Sequence, residues 1–262
     1  MNAFELALKA LKQNNVNNKI KLVDQLHSLK EQTKLNYQAE YPIRSVKAPG
    51  RPKKPNLVRF QNIPKRDKSD LGFIKTIHAI CHIEFNAINL ALDALYRFRD
   101  MPDAFYQDWI QVAFEESQHF QLLNNYLAEL GYHYGDFDAH NGLGKMTHET
   151  DYDVLARMAL VPRVLEARGL DATPKIQARF KKSKFVKMVD ILQVIFNDEI
   201  GHVKIGNTWF HKLCQQRNLD PIQTFDQLVQ KHIGESLRGP FNIEARKLAD
   251  FSDQELDYLQ AK

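Results

Sequence analysis

Glu116 and His119 stand three residues apart in EESQHF, and Glu199 and His202 three apart in DEIGHV. An i,i+3 pair sends both side chains off one helix face toward the same point. Two more glutamates, Glu84 in HIEFNAINLA and Glu166 in VPRVLEARG, each stand alone in largely apolar surroundings. A carboxylate in such a place is costly unless a proton or a cation compensates it, and four converging carboxylates repel one another. Two divalent cations resolve that problem, with four positive charges against four negative ones and a neutral nitrogen from each imidazole. Oxygen and imidazole donors at this ratio suit iron or manganese better than a thiolate-type zinc site. The expected ligands are Glu84, Glu116, His119, Glu166, Glu199 and His202. The expected cofactor is two iron ions, with Mn/Fe or Mn/Mn pairs compatible with the same donors.

One Glu-x-x-His alone is a weak signal, since a solvated helix acid and a half-exposed histidine give the same letters. Two copies, each preceded by a singly placed glutamate, are far more specific. Glu84 and Glu116 are 32 residues apart and Glu166 and Glu199 are 33 apart, so the two halves match in length.

These residues need helices to carry them, and the hydrophobic periodicity supplies four. The first runs from Leu71 to about Phe98 and stops at Asp100, Met101 and Pro102. The second runs from Asp103 to Leu130, with Gly131 at its C-cap. A glycine-rich connection, GYHYGDFDAHNGLGKMTHET, follows. A third helix begins near Asp151, is kinked or broken at Pro162, and ends at Gly169. The fourth runs from Phe185 to Cys214. Short turns follow the first and third, and the one long connection lies between the second and third, as in four-helix bundles with a single crossover.

The expected fold is therefore all-α, with this bundle over residues 71–216. Residues 1–40 read as an N-terminal helical segment with two modest helices between Ala3 and Leu35. Residues 41–70 read as a proline-rich basic arm, whose five prolines exclude a regular helix. Val58, Phe60 and Ile63 are its candidate anchors. Residues 217–262 read as a C-terminal helical extension, with short helices at Thr224–Ile233 and Ile243–Ala249.

Around the ligands, Asp198 is a candidate to orient an imidazole on an adjoining helix, with Asp190 a weaker one. Arg163, one turn before Glu166, either pairs with a ligand carboxylate or reaches solvent. His82 points away from Glu84 on its helix, which argues against ligation. His78 is a candidate for a cavity wall, although such helix histidines are more often satisfied core residues, and His140 with Asn141 in the long connection are candidates for a lid or substrate contact.

In the arm, Arg44, Lys47, Arg51, Lys53, Lys54, Arg59, Lys65, Arg66 and Lys68 stand against Asp67, with Asp70 at the arm's end. Arg51, Lys53, Lys54 and Arg59 are the candidate anion contacts. Aromatic interleaving is thin, with Tyr41 and Phe60 alone, so single-stranded bases have little to stack on. A solvated charged face is the simpler reading, and RNA the lesser one.

A net charge of +4 permits an anionic partner without demanding one. Cys81 and Cys214 are too few for a disulfide scaffold or a thiolate metal cage, and a reducing cytoplasm fits them best. No segment approaches the roughly 20 apolar residues that span a bilayer. MNAFELALKALKQNN reads as an amphipathic helix rather than a secretion signal.

The order Glu, Glu-x-x-His, Glu, Glu-x-x-His resembles the ferritin-like di-iron carboxylate superfamily. HIEFNAINLALDALYRF, EESQHFQLL, LGYHYGDFDAHNGL, LARMALVPRVLEARGLDATP and FNDEIGHVKIG, together with the PGRPKKPNLV arm, more closely resemble a bacterial ferritin-like group of unknown function. Similarity to the tRNA-hydroxylating monooxygenases of the superfamily is more distant. The resemblance implies that all six ligands are present, with Glu116 and Glu199 bridging and Glu84 and Glu166 terminal.

It also implies an enzyme, a dioxygen-activating oxidase or hydroxylase of an organic substrate, served by an electron donor. An iron-oxidising ferritin-like protein is the second reading, disfavoured by the arm and the extra C-terminal helices. A helical interaction protein with a structural metal pair is the third.

Overall fold

A computed structural model describes residues 1–38, 42–44, 46, 48–63, 66–234 and 237–261. Tyr41, Lys47 and Lys65 of the basic arm lie outside these. The described chain is all-α and divides into two compact units, Met1–Lys145 and Met146–Lys262. Its long helices form two packed pairs, one in each unit, with N-terminal and short C-terminal helices added. No helix among the described residues is long and apolar enough to cross a membrane.

The first unit is built on α3 (Asp70–Arg97) and α4 (Asp103–Glu129), which pack along their lengths. Ser69 caps α3 by accepting the Gly72 N–H. The α3–α4 turn is closed by Tyr106, whose hydroxyl donates to the Arg99 carbonyl at 2.6 Å and accepts from the Met101 N–H at 3.1 Å. Gly131 takes φ +79° after α4, a left-handed position that costs a glycine little. Two short helices, α1 (Ala3–Leu11) and α2 (Val16–Glu31), cover this pair, α1 against α3 and α2 against α4.

Lys19 on α2 is fully buried where these helices meet. Its ammonium donates to the carbonyls of Ala10 and Leu11 at the end of α1, at 2.7 and 3.2 Å, and to Asn89 Oδ1 on α3 at 2.7 Å. The last carbonyls of a helix lack intrahelical donors, and a cation there is favourable. Gly50 of the arm satisfies Leu11 as well, its N–H lying 2.7 Å from the same carbonyl. A β-carbon at Gly50 would fall 2.3 Å from the Lys12 carbonyl oxygen, so only glycine allows this approach.

Among the described residues of the arm, Gly50 and Pro55 are the buried ones. The expected anchors serve less well: Val58 and Ile63 are half-buried and Phe60 is 74% exposed. The arm is held instead by its backbone, through Val58 N–H to the Ala139 carbonyl and Ala139 N–H to the Asn56 carbonyl, at 2.8 and 3.0 Å.

In the second unit, α6 (Val154–Leu160), a π-helical segment (Val161–Glu166) and α7 (Ala167–Phe180) run as one interrupted helix. They pack on α8 (Lys187–Gln216). Pro162 has no N–H to give, and its ring crowds the preceding turn. The helix widens there, and the Ala167 N–H reaches the Pro162 carbonyl five residues back.

The expected stop at Gly169 does not occur. Leu170, Thr173 and Phe180 are buried, and this packing carries the helix past both Gly169 and Pro174. The glycine-rich connection also holds a helix, α5 (Gly142–Glu149). After α9 (Pro221–His232) and α10 (Ile243–Leu248) comes α11 (Asp253–Gln260), whose Ser252–Glu255 capping box went unread in the sequence.

Burial pulls the Lys19 pKa down to about 7. The unfolded chain then holds a proton at pH 8–10 that the folded chain has released, so folding stability rises with pH across that window. Between pH 7 and 9, wild-type stability relative to Lys19→Met is expected to rise by about 2 kcal/mol in denaturant titrations. A pH-independent difference would show that Lys19 stays charged in the fold.

Candidate metal centre

The first unit brings three of the sequence-predicted ligands together. Glu84 lies on α3, and Glu116 and His119 on α4. His119 Nδ1 is 3.4 Å from Glu84 Oε2 and 3.5 Å from Glu116 Oε2. One donor atom from each of the three falls within 4.8 Å of the others. These separations exceed the roughly 2.7–3.2 Å of an N–H···O hydrogen bond, and they suit atoms that face a common cation.

Glu116 has no exposure and Glu84 only 4%. Phe85, Phe120, Cys81, Ile88 and Ala113, all buried, form the surroundings. Of the two neighbours of Glu84, Phe85 turns inward with it and Ile83 is 47% exposed.

The second unit carries the matching set. Glu199 and His202 lie on one face of α8, with His202 Nδ1 3.8 Å from Glu199 Oε1. Glu166 is the last residue of the π segment. Its height against α8 follows from a close contact one turn away, where a β-carbon on Gly206 would meet Pro162 Cβ and Cγ at 2.3 Å. With Pro162 opposite Gly206 in an antiparallel pair, four residues along one helix and four back along the other set Glu166 level with His202. Glu166 and Glu199 are each 9% exposed and His202 1%.

The donor chemistry fits divalent metal. Each unit offers two buried carboxylates and one imidazole, and a cation removes the cost of burying the anions together.

Arg163 does not serve this site. Its Nη2 donates to Glu255 Oε1 on α11 at 2.6 Å, and its Nη1 to Asn207 Oδ1 on α8 at 2.9 Å. His211 Nε2 lies 2.9 Å from the same Glu255 oxygen. The rings of Phe210, Phe225 and Phe251 pack on the guanidinium. Neither expected alternative holds, for Arg163 is buried and its charge is met by Glu255, held well below the usual carboxylate range despite burial by its hydrogen bonds and Arg163. This tie between π segment and C-terminal helices was missed because its partners lie 44 and 92 residues away.

Asp198 is half-buried on α8 and Asp190 is exposed in its first turn. His78 is buried on α3, and its Nε2 accepts the Gly135 N–H at 2.9 Å. His82 Nδ1 meets the Tyr134 hydroxyl at 2.8 Å, and its Nε2 meets the His140 carbonyl at 3.2 Å. Burial lowers both imidazoles to a pKa of about 4, which keeps them neutral at pH 7. They fasten the long connection to α3. The half-buried His140 ring stands edge-on to Phe60, and Asn141 is exposed.

Among the candidate anion contacts, Arg51 turns inward to the carbonyls of Pro52 and Pro55 at 3.3 and 3.0 Å. Lys53, Lys54 and Arg59 are exposed.

An all-α fold of helix pairs with buried glutamate and Glu-x-x-His donors defines the ferritin-like carboxylate class, here with a candidate metal-binding cluster. The chain belongs to the family described as "Protein of unknown function (DUF455)", whose model matches residues 12–257. It is 46% identical over 261 residues to an uncharacterized protein of Haemophilus influenzae, covering 95% of this chain and 91% of the relative. No solved structure matches.

Replacing Glu255 by Ala leaves Arg163 buried and without its carboxylate, and is expected to cost about 3–5 kcal/mol in denaturant titrations. The Arg163→Met, Glu255→Leu double variant should recover most of that loss. A single-variant cost under about 1 kcal/mol would show that this pair does not secure the C-terminal helices.

Proposed function

We propose that Glu84, Glu116, His119, Glu166, Glu199 and His202 together hold two metal ions, and that the protein is a dioxygen-using oxidase or hydroxylase of a small organic substrate. The burial of Glu84 and Glu116 beside His119 carries this reading, because two adjacent carboxylates in an apolar helix pair call for a cation. The repeated donor set of the second unit supports extending it to a pair of ions. Iron is the first choice of metal, with Mn/Fe and Mn/Mn pairs open to the same donors.

Two reduced iron ions, when bound, would supply the activation of dioxygen. The protein's part is to bind, orient and exclude. Glu116 and Glu199, on the two Glu-x-x-His turns, would hold the ions together with Glu84 and Glu166. His119 and His202 give one neutral nitrogen apiece, so the charge of the four carboxylates is balanced by two divalent ions. Asp198 is proposed as a positioning residue that accepts from a ligand imidazole and fixes its tautomer.

Phe85 and Phe120, each adjacent in sequence to a ligand, keep water from the donors and preserve the low dielectric in which the ligand charges act most strongly. Hydroxylation consumes one dioxygen, two electrons and two protons, and yields the hydroxylated product and water. A separate electron donor is therefore part of the proposal.

Anaerobic loading with Fe(II), followed by dioxygen, is expected to give a ferric absorption band at about two irons per chain. Glu116→Ala and His202→Ala should each abolish it while the far-ultraviolet helical signal remains. The same band at the same stoichiometry in both variants would remove these residues from the ligand set.

A further inference from the structure

The turn that joins α7 to α8 carries a concentration of charge that the metal centre does not use. Residues 172–189 hold six basic side chains, Lys175, Arg179, Lys181, Lys182, Lys184 and Lys187, and no acid. The acids that bound the stretch are Asp171 and Asp190, and Asp171 is already engaged by Arg246. The turn itself is firmly built. Phe180, Phe185 and Met188 are buried, and Ser183 accepts the Phe185 N–H at 3.1 Å while donating to the Phe180 carbonyl at 2.8 Å. This leaves Lys181, Lys182, Lys184, Val186 and Lys187 exposed, Val186 at 58%. Lys184 also lies over the Phe185 ring, whereas Lys181 and Lys182 meet no acid among the described residues.

We propose that this turn docks on the surface of a bilayer rich in anionic lipid. Its four lysines complement the charge of lipid phosphates, and each cation near an anionic surface raises binding about fivefold. Lysine suits this partner, because its stem lies along apolar surface while the ammonium stays among the headgroups. Protein interfaces, by contrast, are depleted in lysine. Single-stranded bases would find no stacking platform, since Phe180 and Phe185, the aromatic residues of 172–189, are both buried. Val186 separates a lipid surface from a bare phosphate backbone. A valine standing in water between Lys184 and Lys187 gains nothing from phosphates, but its burial at the acyl boundary is favourable.

Attachment of this kind needs no spanning segment. Lys187 opens α8 and stands about 18 Å along that helix from Glu199. Lipid contact therefore involves no candidate ligand, and it can fail or stand apart from the metal proposal.

The test is co-sedimentation of the metal-free full chain with vesicles of equimolar phosphatidylglycerol and phosphatidylcholine, with pure phosphatidylcholine vesicles as control. At about 0.1 M salt, binding to the anionic vesicles is expected and little to the neutral ones, and about 1 M salt should release the protein. The Lys181→Ser, Lys182→Ser double variant should bind about tenfold or more weakly. Its melting temperature should match wild type, since both side chains are exposed. Val186→Ser is expected to weaken binding about threefold or more without changing the salt dependence. Duplex RNA added at equal phosphate concentration should leave the protein on the vesicles. No binding to anionic vesicles, equal binding to neutral ones, or unchanged affinity in the lysine double variant would overturn the proposal. Insensitivity to Val186→Ser, or release by the RNA, would overturn it in favour of a polynucleotide backbone.

Discussion

Burying carboxylates among phenylalanine and isoleucine side chains is among the more costly things a helical protein does, and here it is done in both units. Glu84 and Glu116 face His119 with almost no access to water. Glu166, Glu199 and His202 repeat the donor set on the second helix pair. Apolar packing alone would fold these helices more stably with leucine in place of the acids. A divalent cation turns that cost into binding energy, because the attraction strengthens in the same low dielectric that makes an uncompensated charge expensive. The long helices bring these buried carboxylates beside imidazoles, with Phe85 and Phe120 buried next to them in sequence.

The second unit spends helical regularity to meet it. Pro162 widens one turn into a π segment, and Gly206 on α8 accepts its ring where any β-carbon would clash. The interrupted helix is further held by Arg163 with Asn207 of α8 and Glu255 of α11, and by Asp171 of α7 with Arg246 of α10. The C-terminal helices thus secure a distorted helix that carries one candidate ligand. In the first unit the comparable task falls to Lys19, which gathers the end of α1 and Asn89 of α3 around one ammonium.

Much of this was legible in the sequence. The four long helices announced themselves by period, and Pro162 by its chemistry, because these signals are local. The inward direction of Glu84, Glu116 and His119 followed from their spacing against apolar neighbours. Gly169 misled because a glycine stops a helix only when nothing beyond it is worth burying, and Leu170 and Phe180 are buried. Arg163, Lys19 and Arg246 were opaque, since a charged side chain looks solvent-bound until its distant partner is known. The Ser252–Glu255 capping box was a local signal that could have placed α11. His78 shows the opposite error, a histidine near a candidate ligand inviting a cavity role when its ring nitrogen holds a loop.

The central claim is that these six side chains bind a metal pair. Anomalous diffraction at the iron edge from crystals of the Fe(II)-loaded protein tests it most directly. The account predicts two peaks about 3.5–4 Å apart, one bonded to His119 and the other to His202. Peaks bonded to neither histidine, or a single peak at saturating iron, would contradict it.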